Sequence, residues 1–312
     1  MVMRFKSFFI LALILFLTAC GKSESTGSNG GNGDLPDVTF SFENEAGQSF
    51  QVIHAYKLFN PFFEEVRNVP ASEQTEVYVS SVIEPINEAC FKDGEYASLA
   101  KSVTEDAPKN RIATQDVIKR LNYDDLNNSI KEALNAASEK LPTEGLTTVC
   151  IFPTTETLQN VVLTAGAGKI TVLFNRNFNN DIVKAGVAKE YPKSVWTEKN
   201  GAPSTVLDYL VFHGKGNVFG KTLFPDVTFV KVNPEFKEES WSQIEGDLDK
   251  ADEERALQIL RGGGDLPTNY GFSEGYKMVE AFLEANSSLS EEEWVMLSAD
   301  EIFEQGNYAD NY

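Results

Sequence analysis

The chain has 312 residues, with 27 Lys and Arg against 47 Asp and Glu, and a formal charge of −20 at neutral pH. So acidic a chain is repelled by nucleic acid and by anionic headgroups, and it has no basic patch with interleaved aromatics, which excludes nucleic-acid binding. Three cysteines without a CxxC pair and two histidines leave little material for a thiolate zinc site or a redox motif.

Residues 1–19 read as a leader. Arg4 and Lys6 precede an apolar run from Phe8 to Leu17, which is too short for an ordinary membrane span. Leu17-Thr18-Ala19-Cys20 then matches the lipobox pattern of bacterial lipoproteins. That pattern implies cleavage before Cys20, lipidation of its sulfur, and a mature protein held by its lipid on the extracytoplasmic face of a membrane in the cell envelope. Several acyl chains on one residue give stable anchoring. The Gly-, Ser- and Asn-rich stretch up to residue 36 cannot bury enough apolar surface to order itself and reads as a tether. Residues 37–312 are expected to form a single domain.

Within that domain Val38 to Phe42 alternates as a strand. Phe50 to Arg67 has helical spacing interrupted at Asn60-Pro61, and Glu76 to Ile86 reads as a helix. Thr114 opens another segment. Leu126 to Leu141 places Leu126, Ile130, Ala133, Leu134 and Ala137 on one helical face. Thr147–Pro153, Val161–Thr164 and Ile170–Phe174 read as strands, the last two joined by a hairpin with Gly166 and Gly168. Asn180 or Asp181 starts a helix, and Ser204 or Thr205 with Asp208 starts the next, running to about Phe219. Pro234 to Leu260 reads as a long acidic helical stretch stopped by Gly262-Gly263-Gly264. Phe272 to Leu283 is helical, and Ser290 with Glu293 and Ser298 with Glu301 form two capping boxes, the last helix stopping at Gly306. The class is α+β: a small, mostly antiparallel sheet followed by a helical C-terminal half. Cys90 and Cys150 are either a disulfide closing a loop of about 60 residues, worth roughly 4 kcal/mol, or two separate buried thiols.

The stretch from Gly186 to Lys199, GVAKEYPKSVWTEK, has the cadence of a zinc-peptidase helix. In HExxH, histidines one turn apart share a face and reach the metal, and the glutamate beside the first acts as general base. Tyr191 with Ser194-Val195-Trp196-Thr197-Glu198-Lys199, the strand pair before it, and Tyr270-Gly271-Phe272-Ser273-Glu274-Gly275-Tyr276 together resemble a family predicted to be zinc-dependent proteases, domain of unknown function 2268. Its members read much like AHEYHHSVWTEK at this helix, and the resemblance covers most of residues 75–308. It implies a zincin-like fold, a zinc cofactor, Glu190 as general base, and metal ligands at positions 189, 193 and 213. Here those positions hold Lys189, Lys193 and His213, and Pro192 interrupts the motif. A lysine ligates only as the free amine, which at neutral pH costs about 4–5 kcal/mol per residue. No zinc or other cofactor is therefore expected. The expectation is a degenerate, catalytically inactive metallopeptidase-like domain acting as a binding module for a peptide or protein partner, the alternative being a protease with an atypical metal site. One of the lysine ammoniums is expected in the vacated site, paired with Glu190. KEYPK as an exposed surface loop is the plainer reading, and His54 and His213 read as packing residues.

Overall fold

The computed structural model describes residues 37–156 and 161–308. The leader, Cys20 and the tether lie outside them. Two strands begin the fold, β1 (Thr39–Glu43) and β2 (Ser49–Ile53), joined by a turn in which Gly47 takes φ +84°. A helical region follows: α1 (Phe59–Glu65), α2 (Gln74–Tyr78), a π-helical turn at Val79–Ile83, α3 (Glu84–Cys90), α4 (Lys101–Thr104), α5 (Arg111–Ile118) and α6 (Tyr123–Lys140). Then come β3 (Thr147–Pro153), β4 (Val161–Gly166) and β5 (Lys169–Phe174). The remainder is helical: α7 (Asn180–Asn200), α8 (Val206–Leu223), α9 (Glu238–Trp241), α10 (Glu253–Arg261), α11 (Tyr270–Ala285), α12 (Glu291–Met296) and α13 (Ala299–Gln305). The fold is α+β. Among the described residues no helix is long and apolar enough to cross a membrane.

The sheet runs β1-β2-β3-β5-β4. β1–β2 and β4–β5 are antiparallel hairpins, whereas β2–β3 and β3–β5 are parallel, so the sheet is mixed rather than mostly antiparallel. The difference comes from β2. Residues 50–53 form a strand and not the start of a helix, and the long crossover through α1–α6 returns the chain parallel to it. A central parallel strand is covered on both faces, and accordingly every residue of β3 is buried. Phe50, Val52, Val149, Ile151, Ile170 and Val172 pack into the larger core with α6, α7 and α8. Ile53, Cys150, Phe152, Leu163, Ala165 and Leu173 pack on the other face with α1 and α3. In that second layer Cys90 of α3 and Cys150 of β3 are joined by a disulfide.

The apolar face read in α6 is its buried face. Asn179 caps α7, one residue before the expected positions, and Thr205 with Asp208 caps α8 in a reciprocal box. Both C-terminal capping boxes form. Pro61 sits inside α1 and does not interrupt it. The acidic stretch 234–260 is not one helix. It breaks into α9, a short 3₁₀ turn at Glu245–Asp247 that contains Gly246, and α10, which starts afresh where Asp252, in extended conformation, caps it by accepting from the Arg255 N–H.

Candidate functional site

The segment 189–193 lies in the middle of α7, not in an exposed loop. Lys189, Glu190 and Lys193 are 5%, 0% and 4% exposed. α7 continues through Pro192 although proline removes one backbone bond and costs about 3 kcal/mol in a helix interior. Contacts to α6, α8 and β4 hold it in place. The residues that carried the resemblance do this holding. The Tyr191 hydroxyl donates to the Leu141 carbonyl at 2.8 Å, the Thr143 hydroxyl donates to Glu198 at 2.8 Å, and Val195 is buried in the core.

Glu190 is the hub. One carboxylate oxygen, Oε1, accepts from the Lys189 ammonium, and the other, Oε2, accepts from Lys193. Oε2 also accepts from the backbone N–H of Thr164 at 3.0 Å and its hydroxyl at 2.9 Å, which ties α7 to the edge strand β4. Burial alone would push the Glu190 carboxyl up, but the two ammoniums overrule it and hold it well below the usual carboxylate range. Burial pulls Lys193 down to about 8 against the opposing attraction of Glu190. The Lys193 ammonium lies 5.0 Å from the centre of the Phe212 ring and that of Lys189 lies 5.1 Å from Phe229, so ring faces replace part of the lost hydration.

The lysine stems fit because α8 is bare where they lie. A Cβ on Gly216 would stand 2.7 Å from the Lys189 carbonyl oxygen and 2.8 Å from Lys193 Cδ, and one on Gly220 would stand 3.0 Å from Lys189 Cβ. On the same helix His213 faces the same cavity as the lysines. Its ring meets Phe272 edge-on at 5.0 Å, and its buried Nδ1 has no partner. Burial, reinforced by the two ammoniums, holds His213 well below 6.5, so the ring is neutral. It therefore packs among aromatics and also lines the site. His54 is elsewhere, its Nε2 bonded to Asn127 Oδ1 at 2.9 Å.

Above the ion cluster is a cavity of about 450 Å³, walled by Leu163 and Thr164 of β4, Phe212 and His213 of α8, Phe272 of α11, and Phe229 from the 224–237 segment. The structure thus brings Lys189, Glu190, Lys193 and His213 together. Thr164, Phe212 and Phe229 are the members that the sequence did not announce. A second buried charge lies close by on α8, where the Lys215 ammonium donates to the Leu297 carbonyl and sits 5.4 Å from the Trp196 ring.

The family model described as a predicted Zn-dependent protease (DUF2268) matches residues 126–304, more than half of the chain. The chain belongs to the DUF2268 family. No curated protein and no solved structure matches it. The family description implies zinc, and the donor set at this site does not fit that ion. Both lysine nitrogens are charged and committed to Glu190, the Glu190 oxygens are taken by those ammoniums and by Thr164, and His213 offers one imidazole. Among the described residues no group of three His, Cys, Asp or Glu side chains could hold a metal.

Proposed function

We propose that this DUF2268 member is a non-catalytic binding protein, which holds a peptide in the cleft where a protease of the family would cut it. The observation that carries this reading is the Lys189–Glu190–Lys193 cluster. It puts two cations where the metal-binding histidines are expected, and it ties up the carboxylate that would activate water. An apolar cavity and a strand edge remain beside it, the elements that recognise an extended chain. We also propose that the domain stands outside the cytoplasm on a lipid anchor at Cys20. The lipobox sequence supports this, and so does the Cys90–Cys150 bond, which suits an oxidising compartment.

The test has two arms. The purified protein is dialysed against trace zinc, analysed for metal, and incubated with a randomised peptide mixture followed by mass spectrometry. The expected result is a zinc stoichiometry near zero and peptides retained intact. Cleavage that is lost in Glu190→Gln would establish the other reading, a protease whose metal site is assembled differently. For the anchor, membrane association and acyl labelling should both disappear in Cys20→Ala.

A further inference from the structure

The ion cluster is one anion short. Lys189 and Lys193 bring two positive charges and Glu190 one negative charge, in a site shut off from water on the protein side. Among the described residues the charged groups bearing on Lys193 are Glu190 and Lys189, and His213 is neutral. Glu253, the other acidic residue of the cavity wall, is exposed and engaged with Tyr209, while Lys231 and Arg261 add positive charge at the rim. A buried excess charge is stabilised by a partner of opposite sign that also accepts hydrogen bonds.

The hydrogen-bond inventory has the same gap. An ammonium has three donors. Lys189 and Lys193 each give one to Glu190, and both line the cavity. His213 lines it too, and its buried Nδ1 has no partner. Two buried cations with unused donors and one neutral imidazole therefore line the same space.

β4 indicates how a chain would arrive. The Thr164 N–H points away from β5, because it is held by Glu190, so alternation puts the N–H and C=O of Val162 on that same edge. Beyond Val162 the edge is closed: Thr164 N–H belongs to Glu190, and the Ala165 carbonyl accepts from the Tyr96 N–H at 3.0 Å. A peptide laid along β4 runs out of pairing partners where it reaches the ammoniums.

We propose that the cleft is a carboxylate site: it takes the C-terminal carboxylate of a peptide, seated between Lys189, Lys193 and His213, with the last side chain among Phe212, Phe229 and Phe272. This rests on the reading of the cleft as a peptide site and names the end of the chain that it takes. The bound carboxylate balances the cluster as two cations against two anions.

The experiment compares three probes on the full-length protein by NMR, following the methyl groups of Val162, Leu163 and Leu257, which line the cavity. The probes are N-acetyl-Phe-Phe as the free acid, the same dipeptide as its C-terminal amide, and N-acetyl-Phe-Glu amide. The free acid is expected to bind at least tenfold more tightly than the amide, and Lys193→Met is expected to abolish that difference. Should that variant not fold, Lys189→Met serves in its place, and the acid–amide comparison on the unaltered protein decides alone. Equal affinity of acid and amide overturns the carboxylate site while leaving a peptide cleft standing. Tighter binding of the Glu amide than of the free acid overturns the assignment to the chain end and gives the site to an acidic side chain. If none of the three moves the methyl signals at millimolar concentration, the carboxylate site and the peptide cleft both fall.

Discussion

Replacing Glu190 with Gln keeps the shape of the side chain and an acceptor for Thr164 but removes the only negative charge from a cluster with two buried ammoniums. Breaking a buried ion pair from one side costs about 3–5 kcal/mol, because the remaining charge is left without compensation. Lys193, already pulled down to about 8, can shed its proton once Glu190 is gone, but Lys189 is then left beside it without its carboxylate partner. For a chain of this size the loss corresponds to a fall of about 10 °C in Tm. Lys189→Met or Lys193→Met is a different perturbation. Each removes one charge-assisted bond, about 1.5–3 kcal/mol, but leaves Glu190 paired with the other lysine and the cluster neutral. The expected order is therefore asymmetric: Glu190→Gln should cost about 2 kcal/mol more than either lysine variant. The triple variant K189M/E190Q/K193M, with no charge left to solvate, should recover to within about 1 kcal/mol of the parent. Urea unfolding followed by tryptophan fluorescence measures all four. If Glu190→Gln costs no more than the lysine variants, or if the triple variant is worse than Glu190→Gln, Glu190 is not the anion that holds the two buried lysines in place.

The remaining predictions concern other groups. Burial pushes His54 down to about 4, below the unfolded value near 6.5, so the unfolded chain takes up a proton first as the solution is acidified. Stability should then be lost as pH falls from 6.5 to 4, by up to about 3 kcal/mol, and His54→Gln should show a correspondingly shallower decline in Tm over that range. Lys215 is pulled down to about 7 by burial, so between that pH and 10.5 the unfolded chain holds more protons than the folded one. Stability should rise from pH 7 to 9 by roughly 2–3 kcal/mol through this group, and the rise should shrink by that amount in Lys215→Met. Reducing the Cys90–Cys150 bond, whose sequence separation is 60, should cost about 4 kcal/mol, read as the difference in urea midpoint with and without reductant.

Periodic and local signals were legible in the sequence because each is decided by neighbours along the chain. The α6 face is set by apolar spacing, the Ser290 and Ser298 boxes by a hydroxyl three residues before a carboxylate, and the β4–β5 hairpin by Gly168, which adopts φ +61°. What failed was decided at long range. Ser49–Ile53 alternates over five residues only, and its run into the helical spacing of Phe59–Glu65 hid the switch of period, so β2 and its parallel pairing with β3 went unseen. The acidic stretch 234–260 carries Trp241, Ile244 and Leu248 at helical spacing, which hid the break at Gly246 and the new start at the Asp252 cap. At the site, residues 189, 190, 193 and 213 could be found because a helix puts the first three on adjacent turns and the family resemblance supplied the fourth. Thr164 and Phe229 could not, because nothing in their own surroundings says that a distant carboxylate and a distant ammonium need them.

Much of the motif that survives serves packing rather than chemistry. Tyr191 reaches the Leu141 carbonyl, Glu198 accepts from Thr143, and the glycines of α8 admit the lysine stems of α7. The first two contacts hold α7 against the segment that follows α6, independently of positions 189 and 193, and the bare glycines let α8 close on the lysine stems. A lysine at each of two ligand positions, held by the glutamate between them, is a substitution that such a frame can absorb because the charges meet one another inside it. Losing the carboxylate is what it cannot absorb. The glutamate that the family would use as a general base stands, in this chain, as the buried anion between two lysines, and its loss is the change the cluster is expected to tolerate least.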